Sequence, residues 1–204
     1  SDRLKDYSSE RYRPAFFIQD QWSYQDVLTL NGGARVEYDS WFGAYPSPKV
    51  SGRYVLTPSL SVTGSYGLGY RAPSFKEMFL LFENTGVGYV VSGNPDLLPE
   101  RLRGSNVGIN FSPIPLIRFR GNLYHNNLTN LITIGTPETT ESGLTLFGYQ
   151  NVAEAYTRGG EVEATVLMRT VSLQGMYVFT DTMDKILDRP LEGRALHSGS
   201  MNVK

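Results

Sequence analysis

The 204-residue sequence contains no cysteine, which excludes disulfides, thiolate metal sites and a cysteine nucleophile. It also lacks any long apolar run. The longest, Met78 to Phe82, is five residues, whereas a helix crossing a bilayer needs about 20. A membrane role would therefore fall to strands. An excess of one charge sign is missing too: 19 Lys and Arg stand against 20 Asp and Glu. With no basic run either, nucleic acid is not an expected partner. Histidine is scarce, and His125 and His197 share no metal-ligand spacing. No P-loop, dinucleotide fingerprint or nucleophile elbow occurs, so neither an enzyme nor a bound cofactor or metal is expected. The opening Ser1 to Asp6 has no apolar signal core, and the chain is expected to start inside a mature protein or a fragment of one.

What is present is a period of two. Leu28, Leu30, Gly32, Ala34, Val36 and Tyr38 alternate with Thr29, Asn31, Gly33, Arg35, Glu37 and Asp39. Leu60, Val62, Gly64, Tyr66, Leu68 and Tyr70 alternate with Ser61, Thr63, Ser65, Gly67, Gly69 and Arg71. Weaker versions surround Val50–Leu56, Val107–Phe111, Ile117–Leu123, Val162–Val166, Val171–Phe179 and His197–Val203. The segment Pro14–Tyr24 is mixed, because Asp20 interrupts a face carrying Phe16, Ile18, Trp22 and Tyr24. Successive side chains of a strand point to opposite faces, so each segment has one apolar and one polar face.

This reading gives nine strands of about 9–13 residues, the length of a tilted membrane strand and longer than the roughly 5–6 of globular ones. Short connections are expected at 23–27, 57–59, 112–116 and 168–171, and long ones at 40–48, 72–103, 127–155 and 181–194. Short turns on one side and long loops on the other describe an outer-membrane barrel. Trp22 and Tyr24 at a short turn, with Tyr38, Trp41, Phe42 and Tyr70 at the long loops, suit two interfacial girdles. Cost assigns the faces. An Arg or Lys turned to lipid at mid-bilayer costs about 2–4 kcal/mol, so Arg35, Glu37, Arg53, Arg118, Arg120, Glu161 and Glu163 should line a watery lumen. The expected fold is all-β, part of a transmembrane antiparallel up-and-down barrel. Nine strands would leave open edges that lipid does not tolerate, so further strands are expected on both sides.

Four motifs then point to a family. Gly69-Tyr70-Arg71-Ala72-Pro73-Ser74-Phe75-Lys76-Glu77-Met78, followed by Gly93-Asn94-Pro95-Asp96-Leu97-Leu98-Pro99-Glu100, resembles the paired "Y/F-R-A-P" and "N-P-N/D-L-x-P-E" boxes of TonB-dependent receptors. Phe17-Ile18-Gln19-Asp20-Gln21-Trp22 is similar to their "F-x-Q-D-x-W" strand. Asn151-Val152 through Thr157-Arg158-Gly159-Gly160-Glu161-Val162-Glu163 is similar to "N-x-x-x-A-x-x-x-G-x-E-x-E". The resemblance runs over nearly the whole chain. It implies a barrel of about 22 strands filled by a plug, in a bacterial outer membrane, importing a scarce metal chelate with energy from the TonB complex. On that reading residues 1–204 are part of the barrel domain, and the plug and the TonB contacts lie outside it. Haem receptors of the family place a haem-ligating His between the two boxes, and residues 74–93 contain none. A ferric siderophore is therefore the expected cargo, with haem or a corrinoid, or a passive porin-like channel, as alternatives. A soluble β-protein is the reading from a different class.

The long segment 73–103 carries the candidate ligand contacts. Phe75, Met78, Phe79 and Phe82 have helical spacing. With Tyr89, and with Arg71 and Arg101 as flanking cations, the aromatics could form a platform for an anionic chelate. The plainer alternative is a loop that packs on itself over the mouth. Glu161 and Glu163 read as a charge ladder in a lumen rich in Arg, and His125 as a residue near the outer girdle.

Overall fold

The computed structural model describes residues 10–185, 188–191 and 193–204. Nine long strands make one antiparallel wall: β1 (Ala15–Tyr24), β2 (Leu28–Asp39), β3 (Gly43–Thr57), β4 (Leu60–Arg71), β7 (Glu100–Ile114), β8 (Ile117–Ile134), β10 (Thr145–Leu167), β11 (Ser172–Asp184) and β12 (His197–Val203). Each pairs with the next long strand in the chain, so the topology is up-and-down. The remaining elements sit at one end: α1 (Phe75–Phe79), the hairpin of β5 (Leu81–Asn84) and β6 (Tyr89–Ser92), and the short β9 (Glu138–Thr139). β6 runs parallel to the end of β10, where Tyr89 faces Thr145 and Ser92 faces Gly148.

Directly paired residues share a face, so the register tests the charge argument row by row. One row reads Ser23, Thr29, Arg53, Thr63, Gly108, Asn122, Glu161 and Val178 across β1 to β11. The next toward the short turns reads Ser61, Asn110, Arg120, Glu163 and Met176. Arg35 and Glu37 lie on this same polar face and pair at 2.9 Å, and Arg120 meets Glu163 at 3.3 Å. The opposite face reads Tyr24, Leu28, Tyr54, Val62, Ile109, Gly121, Val162 and Tyr177. Asp20 stays in the apolar set, opposite Gly32.

Among the described residues nothing covers the apolar face. Val107, Leu123 and Val162 are 58%, 68% and 57% exposed. The buried apolar side chains (Ala72, Met78, Val90, Leu97, Ile132, Val152 and Ala155) gather at the loop end. A sandwich would put its core between two sheets. Here the wall is one layer and its apolar side is free to meet acyl chains.

The short turns carry recognisable chemistry. Gln25 and Asp26 both adopt positive φ, +48° and +53°, as a two-residue hairpin turn that matches the strand twist requires. The expected long connection at 40–48 is corrected: only residues 40–42 separate β2 from β3, and Asp39 pairs with Gly43. Gly43 takes φ +85°, where side chains are strained, and the Asp39 carboxylate accepts the Trp41 N–H at 2.9 Å. Pro46 and Pro48, read as loop prolines, sit inside β3. The Val55 amide donates to Val27 beside β2. Alternate amides of β3 therefore point to β2, and those of positions 46 and 48 point to β4. Proline has no N–H to give there, and the β3–β4 ladder stops at Lys49–Gly67. The connection expected at 127–155 shrinks to 135–144 for a different reason: β8 and β10 stay paired up to Ile134–Tyr149. That expected at 181–194 starts only after Asp184, and its residues 186, 187 and 192 lie outside the described residues.

The face assignment gives a direct test in the barrel that contains this chain. Val162→Arg, in the middle of the apolar rows between Gly121 and Tyr177, is expected to destabilise it by about 2–4 kcal/mol in vesicle unfolding titrations. Asn122→Arg, on the polar face beside Glu161, is expected to stay within about 0.5 kcal/mol. Equal losses for the two would overturn the assignment.

Candidate functional site

The segment between β4 and β7 folds because it satisfies its own ends. Ser74 and Glu77 make a capping box: the Ser74 hydroxyl accepts the Glu77 N–H at 3.2 Å, and the Glu77 carboxylate accepts the Ser74 N–H at 2.7 Å. Helix α1 ends at Phe79 because Leu80 turns to an extended conformation, φ −61° and ψ 131°. The expected helix through Phe82 is thus corrected, and Phe82 belongs to β5.

Arg71 sits between two carboxylates. Its Nε and Nη2 donate to Glu100 at 2.6 and 2.7 Å, and its Nη1 donates to Glu77 at 2.9 Å. Glu100 also accepts the Ile132 N–H at 2.8 Å. One guanidinium therefore ties the helix, the start of β7 and the end of β8 together through charge-assisted bonds. Burial pushes the Glu77 carboxyl up, but the hydrogen bonds from Ser74 and Arg71 outweigh it and hold it below the usual carboxylate range.

The second box works as a clamp. Asn94 donates its N–H to the Glu77 carbonyl at 2.9 Å and its side-chain amide to the Tyr149 carbonyl at 3.1 Å, while accepting the Asp96 N–H. Pro95 and Asp96 carry the turn at the surface, and Leu97, 1% exposed, packs with Met78 and Ile132. Asn151 exchanges hydrogen bonds with the Leu98 backbone at 2.8 and 3.0 Å and also donates to the Asn130 carbonyl. Pro99 is buried and its carbonyl accepts from Asn130. Gly93 must be glycine, because a Cβ there would lie 2.6 Å from the Met78 carbonyl carbon. Ala72 and Pro73 are buried at the other end.

Sequence reading missed a third tie. Arg11 and Asp39 form an ion pair with side chains 3% and 0% exposed. Arg11 also donates to the Pro73 carbonyl at 2.6 Å and lies over the rings of Trp41 and Phe42, at 5.5 and 5.0 Å. The partners are 28 residues apart, and no local pattern marks them.

The candidate ligand contacts fall into three places. Phe75 and Phe79 meet Trp41 edge-on at 5.3 and 5.8 Å, in contact with the Arg11 tie. Phe82 and Tyr89 pair across the β5–β6 hairpin at 5.9 Å, and Tyr89 meets Phe147 at 6.2 Å. Arg101 lies over Tyr45 at 5.4 Å, and Tyr45 stacks on Tyr70 at 3.8 Å where the β3–β4 ladder has ended. The four aromatics are therefore not one platform, and Arg71 is already committed to carboxylates. His125 bonds Asn127 at 3.0 Å and stacks on Tyr156, and no group of metal-binding side chains exists among the described residues.

Glu100→Gln is expected to release Arg71 and speed amide exchange across residues 72–99 by about one to two orders of magnitude, equivalent to about 1–3 kcal/mol, leaving the wall strands unchanged. Because the Glu77 carboxyl is lowered, its contribution is whole above the ordinary carboxylate range and disappears as pH falls through its lower folded value. Exchange protection of Ser74–Leu80 should persist through the ordinary carboxylate range and fail only below it, and Glu77→Gln should abolish that acid transition.

The family model described as "TonB dependent receptor-like, beta-barrel" matches residues 2–204. The chain is 28% identical over 200 residues to the iron-regulated outer membrane virulence protein of Vibrio cholerae serotype O1, a match covering 93% of this chain and 31% of that protein. It is 24% identical over 194 residues to the vitamin B12 transporter BtuB of Photobacterium profundum, covering 95% and 30%. The crystal structure of the siderophore receptor PirA from Pseudomonas aeruginosa superposes with a TM-score of 0.75 at 19% identity, over 85% of this chain and 35% of that one. This last likeness is one of fold. The chain spans about a third of the length of the curated relatives it matches. With a family match over almost every residue, a single-layer up-and-down wall and a clamped pair of boxes at its mouth, the chain belongs to the TonB-dependent receptors of the outer membrane and forms part of their β-barrel.

Proposed function

We propose that this chain supplies the wall and a mouth loop of an active importer for a ferric siderophore, working with the rest of a barrel of about 22 strands, a plug and the TonB complex. The reading is of a receptor and transporter, in keeping with a family of transporters and not of enzymes. The observation that carries the cargo assignment is the relative named as iron-regulated, which matches 93% of the chain. The absence of His from residues 74–93 argues against haem. A corrinoid is the second reading, favoured by the match to the vitamin B12 transporter over 95% of the chain. A passive porin-like channel is disfavoured by family membership, since porins are unplugged.

Within this reading the roles of the candidate residues separate. Phe82 and Tyr89, on the hairpin above the wall, are the proposed ligand-facing aromatics, and Arg101 is the proposed cation. Phe75 and Phe79 hold the helix against Trp41. Arg71, Asn94 and Glu100, with Ala72, Pro73, Pro95, Asp96, Leu97 and Pro99 around them, set the loop and need not touch cargo.

A strain lacking the intact receptor is expected to lose growth on a ferric siderophore as sole iron source and to keep growth that depends on cyanocobalamin. Phe82→Ala with Tyr89→Ala in the intact receptor should weaken siderophore binding about tenfold or more, measured by fluorescence quenching. Loss of corrinoid-dependent growth alone would overturn the siderophore reading in favour of the second.

A further inference from the structure

The hairpin at the mouth leaves one strand margin bare. It extends a small sheet in the order β5, β6, β10 and β9, and β5 pairs with β6 alone. The ladder fixes which way each backbone group of β5 points. The Gly93 N–H donates to the Leu80 carbonyl at 2.6 Å, one rung beyond the Leu81–Ser92 pair. Residues 80 and 93 are thus a hydrogen-bonded pair, and such pairs alternate with open ones along an antiparallel ladder. Phe82 and Asn84 therefore turn their N–H and C=O groups toward β6. Leu81 and Glu83 turn theirs away, to a side where no strand lies among the described residues. No turn or loop hydrogen bond among the described residues takes those groups up. Two N–H and C=O pairs, about 7 Å apart along the strand, stand ready for another backbone. Glu83 is exposed and Leu81 half-buried.

Edge strands are commonly blunted by a proline or a bulge. β5, Leu81-Phe82-Glu83-Asn84, contains no proline and keeps an unbroken register with β6. Its one charge is Glu83, which has no ion pair among the described residues. That carboxylate repels the same edge of a second copy and attracts a cation. The two faces of the hairpin differ. Phe82 stands in a row with Val91 and Phe147, next to the row of Asn84, Tyr89 and Thr145, and the three rings touch in sequence on that face. Glu83 stands on the other face with Val90 and Leu146. A strand added to β5 places the residue opposite Phe82 on the aromatic face and the residue opposite Glu83 beside the carboxylate.

We propose that this margin takes up the cargo's own backbone as a further strand: the ferric chelate carries an extended peptide segment of about three residues, with an apolar side chain beside Phe82 and a cationic one beside Glu83. Backbone pairing along Leu81 and Glu83 supplies affinity, and the two flanking side chains supply choice. The inference rests on the reading of Phe82 and Tyr89 as ligand-facing, and narrows it from ferric siderophores in general to peptidyl ones. Aromatic contact alone accepts any planar chelate. A bare strand edge adds a demand for amides in extended register, which a chelate without a peptide segment does not meet.

The test uses the intact receptor in detergent and fluorescence quenching. The probes are a ferric trihydroxamate and a ferric tricatecholate, each bare, bearing a Lys-Leu-Leu tail, or bearing that tail N-methylated at its backbone amides. For a given iron centre the tail is expected to tighten binding about tenfold, on the scale of roughly two added hydrogen bonds, and N-methylation is expected to remove the gain. Glu83→Pro deletes an amide that the β6 ladder does not use and should cancel most of the gain. Glu83→Gln should reduce it about threefold and leave a Leu-Leu-Leu tail unaffected. Phe82→Ala with Tyr89→Ala should weaken bare and tailed chelates alike. If the bare chelates bind and respond to that double variant while the tail adds nothing, or N-methylation keeps the gain, the peptide proposal is overturned and the siderophore reading stands. If no chelate binds, bare or tailed, both are overturned. A receptor dimer that Glu83→Pro dissolves assigns the margin to a second copy and overturns the proposal as well.

Discussion

Hydrocarbon offers no partner for a backbone N–H or C=O, and the rest of this molecule follows from that. Every amide in the apolar zone must be spent on a neighbouring strand, so the wall can only be a continuous ladder. A ladder one layer thick has two faces and no interior, and side chains must alternate between lipid and water. The row Arg53, Thr63, Asn122, Glu161 on one side and Tyr54, Val62, Ile109, Val162 on the other is that alternation carried across many strands. Ordinary core packing has no place in such a wall, which is why the buried apolar side chains among the described residues gather at the mouth.

At the mouth, where water returns, the architecture changes character. Residues 72–100 are held by a small hydrophobic core around Leu97 and Met78 and by polar side chains that bond to backbone. Arg71, Asn94, Glu100 and Asn151 each reach two or more chain segments. They fix a loop in place in the way a strand ladder fixes the wall. The family boxes are engaged in building that loop.

The wall was legible in the sequence because its rule is local: a period of two, with charges on one side. The nine strands follow from it, and the charges expected in a lumen share one face of the wall. Loop lengths were less legible. Pro46 and Pro48 read as loop residues because proline usually breaks a ladder, yet here each needs to spare only the bond on its β4 side. The extended β8–β10 hairpin was hidden because Asn126, Asn127 and Asn130 look like turn residues, while their chain continues as strand above the bilayer. The Arg11–Asp39 pair and the division of the aromatics into separate clusters depend on contacts distant in sequence, which no local pattern encodes.

The prolines of β3 have a mechanical meaning. Above Lys49 the seam between β3 and β4 is closed by the stacked rings of Tyr45 and Tyr70 in place of hydrogen bonds. Rings can slide across one another at little enthalpic expense, whereas the β8–β10 ladder resists shear at every rung. The rim of this barrel is therefore anisotropic: compliant along one meridian, stiff along another, with displacement of the mouth directed by where two amide hydrogens are absent.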